Sequence, residues 1–180
     1  TNIYNLSLMG ALIDRLGEQK AEQWAQAVKA NLARDPRGGD TDQLKSVAAG
    51  ECDVTLTNQY YYARLMRSDK ADEKAMVEQV GIVFPDQAGR GTHVNISGAA
   101  VLKHAPHRDA AVKFLEYLAS DAAQRYFADG NNEWPAVASV DASNAVLASF
   151  GKYKRDALNV AVLGRNQPAA QKIFDRAGWK

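Results

Sequence analysis

The sequence predicts an α/β protein, and three observations predict it. Apolar residues recur at helical spacing in several separate stretches. Short alternating or apolar runs that suit strands lie between them, at 52–57, 81–85 and 92–102. Strands alternating with helices of this length are the pattern of a mixed α/β chain, and no internal repeat or low-complexity linker interrupts it.

The elements follow in order. Residues 4–15 carry Leu8, Leu12 and Ile13 at helical spacing with Leu16 just beyond, and Gly17 is a stop. Residues 18–32 read as a second helix with Trp24, Ala27, Val28 and Leu32 as its stripe, before Pro36, Gly38 and Gly39 break the pattern. Asp40-Thr41-Asp42 offers an N-cap for a short helix through Leu44, Val47 and Ala48 that closes at Gly50. The alternating run 52–57 then enters Asn58-Gln59-Tyr60-Tyr61-Tyr62-Ala63-Arg64. A charged surface helix is expected over 69–79, and Gly81-Ile82-Val83-Phe84-Pro85 as a short buried strand. After the extended stretch 92–102, Pro106 stands near the start of an amphipathic helix with Ala110, Val112, Phe114, Leu115 and Leu118. Ser120 caps the next helix, which Gly130-Asn131-Asn132 ends. Weaker helical stretches lie near 143–150, 154–163 and 168–177.

Composition narrows the function classes. The chain of 180 residues is 46% hydrophobic and 24% charged, enough to bury a core. The 22 basic and 21 acidic residues leave a net charge of +1 and are interspersed. That balance argues against sequence-independent attraction to nucleic acid or an anionic membrane. No apolar run approaches the roughly 20 residues of a membrane helix. Cys52 stands alone and is expected as a small buried hydrophobe. The chain opens on Thr1 without an initiator methionine or signal segment, which reads as a processed or truncated piece.

Three of the seven tyrosines stand side by side at 60–62, and a further one stands at Tyr4. A phenolate is a hard anionic oxygen donor that suits a hard, highly charged cation such as Fe3+. A bound cation in turn stabilises the deprotonated donor. In a strand, neighbouring side chains point to opposite faces. Tyr60 and Tyr61 can therefore serve one site only if the backbone turns or starts a helix there. Aromatics are also common strand formers, so packing against a core edge accounts for the same residues. Other chemistry is thin. His104 and His107 flank Ala105-Pro106, whose proline makes a shared helical face doubtful, and no metal-ligand spacing extends from them. Gly89-Arg90-Gly91 and Gly38-Gly39-Asp40 match neither a Walker nor a dinucleotide motif. No nucleophile–base pair can be identified, which places a hydrolase or transferase last and leaves binding without catalysis first.

Nearly the whole chain, Asn2 to Lys180, resembles the C-terminal half of the periplasmic ferric-ion-binding proteins. These are transferrin-like, type II periplasmic binding proteins that serve iron(III) ABC transporters. The segments that carry the resemblance are Asn2-Ile3-Tyr4-Asn5, Gly38-Gly39-Asp40-Thr41-Asp42-Gln43, 47–54 and Asn58-Gln59-Tyr60-Tyr61. The run 91–98, the helix 111–118, Phe150-Gly151-Lys152-Tyr153 and Gly178-Trp179-Lys180 complete them.

The resemblance implies ferric iron as cargo, held by the phenolates of Tyr60 and Tyr61 in an interlobe cleft. It implies Tyr4 as a third ligand, as in one branch of the family, and Tyr62 as a packing residue. Arg64 would offset phenolate charge or hold an accompanying anion such as carbonate, although a surface salt bridge explains it equally well. Three phenolates neutralise Fe3+ in full, which reduces the need for that anion. The implied setting is the periplasm and the implied partner an inner-membrane ABC permease.

The same resemblance implies that about 130 residues of a complete protein precede this chain, including most of an N-terminal lobe. Residues 1–92 and 135–180 are then expected in the C-terminal lobe, 93–97 as a hinge strand, and 98–134 in the N-terminal lobe. Without its partner sheet that last segment would expose apolar surface. An alternative is a binding protein of the same fold for an anion or other small solute, with the tyrosines as cleft walls.

Overall fold

A computed structural model describes residues 2–179, so Thr1 and Lys180, the outer ends of the expected lobe segments, lie outside the described residues. Nine α-helices are found among them: α1 (Ile3–Leu16), α2 (Glu18–Ala30), α3 (Asp40–Ala48), α4 (Gln59–Met66), α5 (Ala71–Gln79), α6 (Arg108–Leu118), α7 (Asp121–Asn131), α8 (Ala145–Ser149) and α9 (Ala161–Arg176). The chain divides into two compact units. One comprises Thr1–Pro36, Phe84–Ile96 and Tyr153–Lys180; the other comprises Arg37–Val83 and Ser97–Lys152.

The first unit is built on α1, α2 and α9. Asn2 starts α1 by accepting a hydrogen bond from the Tyr4 amide at 3.4 Å, the N-cap arrangement expected of a short polar side chain. Met9 and Ile173 are fully buried, joined by Leu6, Ile13 and Phe174. On α2 the buried face is Ala21 and Ala25, one turn apart, with Trp24 packed beside them; the expected stripe residue Ala27 is exposed. Small side chains at i and i+4 let helices approach closely, so this face is read by size as much as by hydrophobicity. Trp179 closes the unit by donating its indole N–H to the Ala25 carbonyl at 3.1 Å and packing edge-on against Phe174. Arg15 and Asp156 make a two-pronged pair at 2.6 and 3.3 Å, and Arg176 pairs in the same way with Glu22 at 2.9 and 2.6 Å.

The helical stretch expected near 168–177 forms, but the one near 154–163 is helical only from Ala161, and the two are a single helix. Residues 154–159 are non-helical, and α9 runs from Ala161 through Pro168 to Arg176. Proline removes a helical N–H and crowds the carbonyl four residues earlier. Here that carbonyl belongs to Gly164, and burial of Ala170, Ile173 and Phe174 holds the later turns in place.

The second unit gathers α3, α4 and α5 around Leu44, Tyr62, Leu65 and Val80, with Val47, Met76, Ile82 and Phe150 packed at the margin. Helices α7 and α8 are tied to the end of α4 by a polar network. Asn132 ends α7 in the left-handed conformation (φ 59°), which asparagine tolerates better than most residues. The Asn132 Oδ1 accepts from Asn144 and from Arg67, both at 2.8 Å, while Asn144 caps α8 through the amides of Val146 and Leu147. The expected amphipathic helix forms as α6, but none of its residues is buried: Phe114 is 58% and Tyr117 55% exposed.

The expected strands do not form ladders. Among the described residues the β-pairing is one isolated parallel bridge, Thr92 with Arg155, in the first unit. The runs at 52–57 and 81–85 are irregular, and Val83, expected in a buried strand, is 84% exposed. Alternation sets which way side chains point; it does not supply the neighbouring backbone whose N–H and C=O groups make a strand a strand. No described helix is long and apolar enough to cross a membrane.

Candidate functional site

The condition set by the sequence, a helix start at the tyrosines, is met. Helix α4 begins at Gln59, so Tyr60, Tyr61 and Tyr62 follow one another at about 100° around its axis. Tyr62 and Leu65, three apart, turn into the core, and the Tyr62 hydroxyl donates to the Val80 carbonyl at 2.6 Å. Burial raises its pKa above the ordinary phenol value. Tyr62 is thus a packing residue, as the resemblance implied.

Tyr60 and Tyr61 are half-buried, with ring centres 4.4 Å apart and planes 31° from parallel. Tyr61 also packs against the margin of the Tyr62 core. The Arg64 side chain is exposed, and its guanidinium carbon lies 5.4 Å from the centre of the Tyr61 ring, within cation–π range. Both tyrosines sit in the first turn of α4, where the helix dipole presents its positive end and the helix carries no acidic residue of its own. That field favours an anionic oxygen.

What holds this turn lies far away in the sequence. The Asp40 carboxylate accepts the backbone N–H of Asn58 at 2.7 Å, its side-chain amide at 3.1 Å and the Thr57 hydroxyl at 3.0 Å, all on one oxygen. Asp40 was expected as a helix cap; it is instead the first residue of α3, capped by Gly39. The reciprocal cap comes from Asp42, whose carboxylate takes the Gly39 N–H at 2.9 Å. From the other side, Gln59 donates to the Asn132 carbonyl at 2.6 Å, and Arg67 at the end of α4 donates to the Asp129 carbonyl and Asn132 Oδ1. Asp40 and Asn132 are the residues that sequence reading did not connect to the tyrosines, because separations of 18 and 73 residues leave no local signal.

Tyr4 occupies the first turn of α1 in the first unit, half-buried, whereas Tyr60, Tyr61 and Arg64 belong to the second. His104 and His107 precede α6, and His107 makes no side-chain cap. Among the described residues no group of three or more His, Cys, Asp and Glu side chains is placed to hold a metal ion. Tyrosine is outside that set, so the tyrosine pair stands as the candidate oxygen-donor cluster.

Known proteins show the same arrangement of chain. The "Iron uptake protein A2" of Synechocystis is 50% identical across 100% of this chain and 52% of its own length. A Trichodesmium protein (IdiA, FutA), solved in complex with iron and citrate ligands, is 52% identical with a TM-score of 0.92, over 99% of this chain and 56% of that one. Apo FutA2 from Synechocystis is 49% identical with a TM-score of 0.93, over 100% and 57%. The chain spans about half the length of the relatives it matches. At that likeness its backbone is that of a type II periplasmic binding protein, in the portion these proteins share with it. The pattern of the "Bacterial extracellular solute-binding protein" family matches residues 9–155, most of the chain, and the chain belongs to that family.

Proposed function

We propose that the protein to which this chain contributes binds ferric iron through the phenolates of Tyr60 and Tyr61, with Tyr4 as a third ligand, and hands it to an ABC permease. The observation that carries the reading is the adjacent tyrosine pair at the start of α4, in a chain 52% identical to a protein solved with iron and citrate. Three anionic oxygens suit Fe3+ and bind Fe2+ less well, so reduction loosens the grip. Ligands must be deprotonated to bind, so affinity falls in acid. The work is capture and release, with no bond of a substrate made or broken. Arg64, already over the Tyr61 ring, offsets phenolate charge or holds a small oxyanion such as carbonate beside the metal.

The setting we propose is the periplasm, consistent with a family of extracellular solute-binding proteins. In the whole protein, residues 1–92 and 135–180 form the C-terminal lobe, 93–97 a hinge strand, and 98–134 part of an N-terminal lobe supplied by the remaining half. The exposed apolar side chains Leu102, Phe114, Tyr117, Tyr126 and Phe127 support the last assignment, since they need a partner to leave water. Against it stands the placing of Ser97–Lys152 in one compact unit with Arg37–Val83.

The test is a visible spectrum of the chain titrated with ferric nitrilotriacetate, beside Tyr60→Phe/Tyr61→Phe. A broad phenolate-to-iron band that the double substitution removes supports the reading. No band, with or without the other half of the protein added, overturns it in favour of an anion-binding relative.

A further inference from the structure

We infer that Asp40 is a positioning residue for the Tyr60–Tyr61 pair, setting the geometry in which the two hydroxyls meet a metal; this rests on the iron-binding reading above. One Asp40 oxygen gathers three donors from Thr57 and Asn58, the two residues immediately before α4. This carboxylate therefore anchors the two residues from which the helix starts, while Gln59 is held separately by the Asn132 carbonyl. The Asn58 side chain makes no capping bond to α4, and its Nδ2 donates to Asp40. The N-terminal turn that carries Tyr60 and Tyr61 is thus tethered through Asp40 rather than closed by its own cap. The Tyr61 amide bonds back to the Asn58 carbonyl at 3.2 Å, so a displacement of Asn58 passes directly to the tyrosine.

Charge-assisted bonds of this kind are stronger than neutral ones and hold direction well. Groups that orient metal ligands typically change affinity by 10–100-fold when removed. Asp42 provides an internal comparison. It too is acidic and in the first turn of α3, but its carboxylate takes the Gly39 amide, whereas the carboxylate that Thr57 and Asn58 bond is that of Asp40. Loss of Asp42 weakens α3 alone; loss of Asp40 weakens α3 and releases the tyrosine-bearing turn.

The experiment compares wild type, Asp40→Asn, Asp42→Asn and the milder Thr57→Val in the 180-residue chain. Tyrosine ring signals in 13C NMR, assigned by single Phe substitutions, report position without metal. Ferric nitrilotriacetate titrations report affinity and the pH at which colour is lost. Asp40→Asn is expected to move the Tyr60 and Tyr61 signals, to weaken ferric binding about 10-fold or more, and to raise the pH of colour loss. Thr57→Val moves the same signals less, and Asp42→Asn leaves them in place. Ring signals unmoved by both Asp40→Asn and Thr57→Val, equal movement in Asp42→Asn, or undiminished affinity in Asp40→Asn overturns the inference. Absence of colour in wild type counts against iron binding, and the ring signals then decide the role of Asp40 by themselves.

Discussion

The rings of Tyr60 and Tyr61 lie 4.4 Å apart, while Tyr62, the next residue, is buried in a core and donates its hydroxyl to the Val80 carbonyl. Three identical side chains in a row thereby take two different tasks. The helix supplies the division, since each step of about 100° turns the next side chain to a new direction. A strand would have sent Tyr60 and Tyr62 to one side and Tyr61 to the other.

Tyr62→Phe is expected to cost about 1 kcal/mol, and more if the Val80 carbonyl finds no water. Iron colour should persist in it. The alkaline limb of stability should change as well. Burial raises the Tyr62 pKa in the folded state, so its contribution is complete below the unfolded value of about 10 and is lost as pH rises through the folded one. Urea midpoints at pH 8 and pH 11 check this: the drop between them shrinks in Tyr62→Phe. Loss of the iron band in this variant would instead make Tyr62 a ligand.

His93 governs a second pH effect, in acid. Its Nε2 is buried without a hydrogen-bond partner, and burial lowers its pKa, with Asp156 opposing. An unfolded histidine titrates near 6.5, so the unfolded state takes up its proton first as pH falls. Stability contributed by neutral His93 is therefore present above about pH 6.5 and is lost as pH falls through the lower folded value. Urea midpoints at pH 7.5 and 5.5 should converge in His93→Leu relative to wild type. An equal drop in both proteins would assign the acid loss to other groups.

Two glycine-to-alanine substitutions should act with opposite sign. Gly91 has φ +103°, and a Cβ there would stand 2.7 Å from the Lys154 carbonyl oxygen and 2.8 Å from the Arg155 carbonyl carbon, both backbone atoms. Next to it, Thr92 bonds to Lys154 and Asp156 at 2.9 Å on each side. Gly91→Ala is expected to cost about 1–3 kcal/mol. Gly130 lies inside α7 with open space around its Cβ position, and Gly130→Ala should stabilise by about 0.4–1 kcal/mol. Denaturant unfolding of both variants gives the comparison; a stable Gly91→Ala would show that this segment relaxes freely.

Helices such as α1, α3 and α7 were legible because their signals are local: a spaced apolar face, a short polar cap, a stop residue. The tyrosine pair was legible as residue type and adjacency. The strands at 52–57 and 81–85 were misread because alternation is a property of one segment and pairing a property of two. The stretches near 154–163 and 168–177 were read as separate because helical signals are local, while the packing of Ala170, Ile173 and Phe174 that carries α9 through Pro168 is not.

By itself, the sequence determined where most helices run and which oxygen donors stand together at 60–61. Only the tertiary structure decided that Tyr62 is withdrawn into a core, that Asp40 and Asn132 tether the tyrosine-bearing helix, and that Tyr4 belongs to a different compact unit. The physical reason is range. Periodicity, capping and side-chain chemistry act over a few residues, whereas burial and hydrogen bonds across 18 or 73 residues exist only once the chain has folded.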